Sequence, residues 1–201
     1  YHVENASHSE LEFKIRIPGW CSAYKIYKNG ICVREEENRE KTGEVVSVCR
    51  GIQTGDRIEA VFSMEFEKSH WFHNSVAVER GPLVYALDMK ERWETAKVVA
   101  GVRDYEIYPE SAWNYALEEN MSFEIQEGHV GAVPFSKEYP PIRLRTRGRR
   151  LDSWEIEDNS AGLLPVSPIC TDGKEEEISL IPYGCTKLRI TQFPWYRNED
   201  K

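Results

Sequence analysis

The feature that most constrains this chain is a period-two alternation of apolar and polar residues, closed about every ten residues by a turn signal. Leu11, Phe13, Ile15 and Ile17 alternate with Glu12, Lys14 and Arg16, so one face of an extended segment is apolar. Pro18-Gly19 stops that segment, because proline has no N–H to give to a ladder. Tyr24-Lys25-Ile26-Tyr27 leads into Asn29-Gly30, where both residues favour positive φ and make a tight hairpin turn, and Ile31 and Val33 begin the return strand. Residues 45–48 and 57–66 continue the pattern on either side of Thr54-Gly55-Asp56. A helix cannot use this period. The expected fold is all-β, with two β-sandwich (jelly-roll-like) domains.

The second stretch of note is Val76-Ala77-Val78-Glu79-Arg80-Gly81-Pro82-Leu83-Val84-Tyr85-Ala86-Leu87. It reads as two extended segments meeting at a Gly-Pro corner. Arg80 sits at that corner as a clamp on loop carbonyls or a carboxylate, with a ligand contact as the competing role. Residues 88–94 turn polar and read as a helical turn or a loop. With a soft boundary over 88–104, the expected domains are 1–95 and 96–201. Ile142 and Leu144 alternate with Arg143 and Arg145 in a later strand that Gly148 ends, and 161–168 is a turn-rich loop.

Composition excludes several classes. The chain has 201 residues, 40% hydrophobic and 30% charged, which suits a globular protein rather than a disordered one. Its net charge of -8 argues against a general nucleic-acid binder. No apolar run reaches the roughly eighteen residues of a membrane span, and the first residues lack the apolar core of a signal peptide. Cys21, Cys32, Cys49, Cys170 and Cys185 are odd in number, scattered and without a Cys-x-x-Cys pair. Buried thiols in a reducing, cytoplasmic compartment are the favoured reading, with one or two pairings left open.

Candidate chemistry is sparse. Arg143, Arg145, Arg147, Arg149 and Arg150 resemble a basic patch, but their alternation makes them the solvent face of one strand, paired with acidic neighbours. His70 and His73 have a spacing that suits a shared metal on a helix, yet no third ligand is near and the context is loop into strand. Glycosidic chemistry needs two carboxylates across a sugar, one kept protonated by burial. Glu118-Glu119 and 175–177 supply carboxylates only as surface runs, and the run over 35–41 reads as a solvated loop. No phosphate loop, nucleophile elbow or His-Glu-x-x-His occurs. Trp20, Trp71, Trp113, Trp154 and Trp195 flank turns or strand ends, where a ring face stacks on sugar or packs into the core. No catalytic or metal-binding residue is assigned, and the binding residues stay open.

Four motifs in order carry a resemblance: Ile15-Arg16-Ile17-Pro18-Gly19-Trp20, the 76–87 stretch, Trp113-Asn114-Tyr115-Ala116-Leu117, and 180–190 around Pro182-Tyr183-Gly184-Cys185. Together they resemble the C-terminal β-sandwich region of glycoside hydrolase family 127-type proteins, the β-L-arabinofuranosidase-like enzymes. The resemblance implies a bacterial parent that cleaves arabinofuranosides or related plant-type glycans with retention. It implies that catalysis belongs to an N-terminal α/α barrel, with a cysteine nucleophile beside a zinc site. None of the five cysteines matches that constellation, so no catalytic residue or cofactor carries over. The implied role is a non-enzymatic brace for the barrel, with the first sandwich incomplete and an edge open to homo-oligomer contacts. A carbohydrate-binding module using exposed aromatics is the alternative.

Overall fold

The computed structural model describes residues 1–6, 10–38, 40 and 43–198. Among them regular structure is strand, apart from two 3-10 turns, Phe72–Asn74 and Tyr183–Cys185. The contacts cluster into two compact units: residues 1–66 with 80–82, and residues 67–79 with 83–201. Position 95/96, expected to divide the chain, falls inside a continuous strand.

In the first unit β1 (Glu12–Ile17) pairs antiparallel with β4 (Glu44–Arg50), while β2 (Tyr24–Lys28) lies between β3 (Ile31–Glu36) and β5 (Ile58–Phe62). The alternation explains the packing. Ile15 and Ile17 of β1, Val46 of β4, Tyr24 and Ile26 of β2 and Ile58 of β5 point to one core, which Cys21 and Ile52 complete. Trp20 and Phe62 pack on it and meet edge to face at 6.0 Å. Asn29 and Gly30 take φ of 51° and 81°, as the hairpin turn requires. Glu35 and Glu36 belong to β3 rather than a solvated loop, because the ladder with β2 sets them opposite Lys25 and Tyr24. Lys25 pairs with Glu35 at 3.3 Å and the Tyr24 hydroxyl donates to Glu36 at 3.1 Å. Arg39 and Lys41 of that charge run lie outside the described residues.

The remaining strands are β6 (Phe66–His70), β7 (Val76–Arg80), β8 (Leu83–Leu87), β9 (Glu91–Val99), β10 (Val102–Pro109), β11 (Tyr115–Glu118), β12 (Glu124–Glu127), β13 (Ile142–Arg150), β14 (Ile156–Glu157), β15 (Ser160–Ala161), β16 (Glu175–Pro182) and β17 (Trp195–Tyr196). Where the strand spacing suggests a second sandwich, these residues build one mixed eight-stranded sheet in the order β17-β11-β13-β16-β8-β7-β6, with β12 also on β13. The mixed character comes from β17, which returns parallel to β11 through Leu117–Trp195 and Glu118–Tyr196 pairs. Leu144, Leu180, Ile181, Tyr85, Leu87, Leu117 and Phe193 are buried along it. Two antiparallel ribbons stand apart from the sheet, β9–β10 and β14–β15.

The 76–87 stretch forms the β7–β8 hairpin. Gly81 turns it at φ +57°, and a Cβ there would lie 2.8 Å from Met64 Sδ. Where a clamp on loop carbonyls or a carboxylate was expected, the Arg80 guanidinium lies over the Phe66 ring, 5.7 Å from the centroid. Residues 91–94, expected as a helical turn or loop, open β9 instead. Their polarity reflects a ribbon exposed along nearly its whole length, which no short-range pattern distinguishes from a loop.

Candidate functional site

In the second unit a cleft of about 500 Å³ opens between β10, the loop before β11, the β14–β15 hairpin and residues 188–190. Its apolar lining includes Ile107, Pro109, Trp113, Ile156 and Ile190, and its polar lining includes Glu106, Tyr108, Asn159, Ser160 and Arg189. Each wall is fixed for a visible reason. Trp113 meets Trp154 edge to face at 4.9 Å, and the Trp154 indole N–H donates to the Gly162 carbonyl at 2.9 Å. The buried Asn114 amide donates to the carbonyls of Leu151 (2.6 Å) and Trp154 (3.1 Å), locking this corner to the end of β13. Tyr108 donates its hydroxyl to Glu106 at 2.6 Å, which raises its pKa, and Arg92 covers its ring at 4.9 Å. Arg189 donates to the Thr186 carbonyl (3.0 Å) and to the Tyr183 hydroxyl (3.2 Å).

Behind the cleft lies a charged cluster that the sequence did not advertise. Glu91 has a side chain only 4% exposed. It accepts from the Thr186 hydroxyl at 2.7 Å and from the N–H groups of Lys187 (3.1 Å) and Leu188 (3.3 Å), with Lys137 Nζ at 3.1 Å. Burial pushes this carboxyl up, but the Thr186 hydroxyl, the Lys187 N–H, the Lys137 ammonium and the Leu188 N–H outweigh it and hold it at about 2. Lys137 also donates to the Met89 carbonyl, and Arg143 pairs with Asp88. Glu91 thus clasps the 186–188 segment that leads into the cleft wall. Burial, then the nearby Asp88, raises the Cys185 thiol pKa, so this thiol is not an activated nucleophile.

A second hidden carboxylate lies in the first unit. Asp56, in the Thr54-Gly55-Asp56 turn, accepts from Lys28 Nζ, the Gln53 N–H and the Asn29 amide, each at 2.8 Å. Those donors, Lys28 first, hold its carboxyl at about 2. Among the described residues, the two strongly perturbed carboxyls are therefore pushed down, the opposite of what a general acid needs.

The residues singled out in the sequence disperse. His70 Nδ1 meets Asn74 Oδ1 at 2.9 Å, while His73 Nδ1 meets the Leu164 carbonyl at 2.6 Å and its ring stacks on Phe72 at 3.8 Å. No group of three metal-ligating side chains occurs among the described residues. Along β13, Ile142, Leu144 and Thr146 are buried. Arg145 pairs with Glu177, Arg147 with Glu175 and Arg150 with Asp152, and Arg149 stacks over Tyr196 at 4.4 Å. Glu118 accepts from Asn198, Glu119 pairs with Arg197, and Glu176 accepts from Tyr115 at 2.8 Å. Trp113, Trp154 and Trp195 are core residues, whereas Trp71 is exposed. Trp93, not among the candidates, is exposed on β9 and meets Tyr105 edge to face at 5.5 Å. All five cysteines carry thiols rather than disulfides, and Cys32 and Cys170 are exposed rather than buried.

Comparison with known proteins adds to this geometry. Residues 1–64 match the family model described as Beta-L-arabinofuranosidase, GH127 middle domain. A solved structure titled "Glycoside hydrolase" is 22% identical with a TM-score of 0.57, and the alignment covers 95% of this chain but 29% of that one. The GH127 beta-L-arabinofuranosidase Ara127N from Geobacillus stearothermophilus T6 is 22% identical with a TM-score of 0.51, over 94% of this chain and 27% of its own. The chain thus spans under a third of the length of these structures, and the likeness concerns fold. No curated protein matches the sequence.

Proposed function

From the match of residues 1–64 to the GH127 middle domain, we propose that the chain is a non-catalytic β region bracing the catalytic α/α barrel of a longer, arabinofuranosidase-like glycoside hydrolase. The observation that carries this reading is the alignment: a fold that follows 95% of this chain yet occupies 29% of a glycoside hydrolase. The chemistry agrees with it. The carboxyls of Glu91 and Asp56, held at about 2, are ionised structural acceptors rather than a proton donor facing a base. The bracing surface is assigned to the β9–β10 ribbon, where Trp93, Val98, Val99, Val102 and Tyr105 are exposed on two strands outside the main sheet. In this role the partner is the barrel, and zinc, which the resemblance assigns to the barrel, is no cofactor of this chain.

The test is co-expression of residues 1–201 with a GH127 α/α barrel that lacks its own β region. Co-purification, lost in a Trp93→Ser, Tyr105→Ser double variant that keeps its own fold, is expected. Hydrolysis of p-nitrophenyl β-L-arabinofuranoside by the chain alone, or no association with the barrel, would overturn the reading.

A further inference from the structure

We infer that the cleft between β10, the Trp113 loop, the β14–β15 hairpin and residues 188–190 binds a neutral saccharide of one or two rings. The inference goes beyond the bracing role and does not depend on it. The volume, about 500 Å³, lies within the range of about 300–1,000 Å³ typical of small-molecule sites. A sugar ring carries apolar C–H faces and a rim of hydroxyls, so it needs apolar surface and hydrogen-bonding groups side by side. The cleft supplies both: Ile107, Trp113 and Ile156 with Tyr108, Asn159 and Ser160.

Charge selects within polar ligands. The lining holds one carboxylate, Glu106, and one guanidinium, Arg189. Neither ligand sign gains a net Coulomb advantage, and both side chains already have partners in Tyr108, and in Thr186 and Tyr183. A phosphorylated or carboxylated ligand lacks the cluster of free donors it requires. The Glu106 carboxylate and the Asn159 amide instead offer an acceptor and a donor–acceptor pair to hydroxyls.

The site is built rather than incidental. The Trp113–Trp154 pair, the Trp154–Gly162 hydrogen bond and the Asn114 clamp hold one wall. The Glu91 clasp on the Lys187 and Leu188 N–H groups holds the opposite one. Asn159 is presented by a hairpin turn in which Asp158 and Asn159 take φ of 48° and 60°, a conformation asparagine and aspartate adopt more readily than most residues. Rigid walls lower the ordering cost of binding a small ligand.

Calorimetric titration of the whole chain with L-arabinose, D-xylose and cellobiose, with D-galacturonate as an anionic control, tests the inference. Saturable binding of at least one neutral sugar is expected, at a Kd of about 1 mM or tighter. Ile156→Trp fills the cleft from an exposed strand position, and Asn159→Gly removes the amide while accepting the positive φ of that turn. Each should weaken binding at least about tenfold with the thermal midpoint retained. No saturation by any neutral sugar, binding indifferent to both substitutions, or equal affinity for the uronate would overturn the assignment. A failure here leaves association with the barrel untouched, so the two readings fail separately.

Discussion

Replacing Glu91 with glutamine keeps the side chain's shape while removing its charge. The folded carboxyl is lowered from 4.5 to about 2. At about 1.4 kcal/mol per pKa unit, that difference corresponds to about 3 kcal/mol of stability. Because the folded pKa is the depressed one, the stabilisation is fully present above the unfolded value of 4.5 and is lost as pH falls toward 2. Glu91→Gln should therefore lose about 3 kcal/mol near neutral pH, with the gap between variant and wild type closing as pH approaches about 2. Urea denaturation followed by tryptophan fluorescence is suited to the purpose. Of the six tryptophans only Trp20 lies in the first unit, so the signal reports chiefly on the unit that holds Glu91. A loss under about 0.5 kcal/mol at neutral pH, or a gap that does not shrink with acid, would refute the idea that four donors hold this carboxylate ionised.

Three further outcomes follow from the packing. Leu144→Ala, at the fully buried centre of β13, should cost about 2–5 kcal/mol by denaturant titration. Gly173→Ala drives a Cβ into the Arg150 carbonyl oxygen, so the 171–174 segment must move, and the same titration should show a loss of about 1–3 kcal/mol. Arg147→Ala removes an exposed partner of Glu175 and should leave the thermal midpoint unchanged, since pairs of this kind add little.

Strand content and its inward faces were legible in the sequence. The period at Ile15, Ile17, Tyr24 and Ile26 marks the first core, and the alternation at Ile142 and Leu144 marks the centre of the large sheet. Asn29-Gly30 and Gly81-Pro82 also turn where their backbone preferences require. These are local effects, because burial of one strand face and positive φ depend on neighbours a few residues away. The candidate site was not legible, since its parts lie far apart in the chain.

Glu91 sits in a stretch of polar residues, and only the arrival of Thr186, Lys187 and Leu188, more than ninety residues later, turns it into a buried clasp. Asp56 looked like an ordinary turn residue until the β2–β5 ladder brought Lys28 and Asn29 to it. Trp113 and Trp71 both flank irregular segments, yet one is walled in by Trp154 and the other faces solvent. Sequence alone determined that the chain forms strands and which side of many strands is apolar, because those properties repeat over short spans. Tertiary structure decided which carboxylates ionise under burial, which rings line a cleft and how the second unit's sheet is ordered, because each depends on partners that only chain closure brings within hydrogen-bond reach.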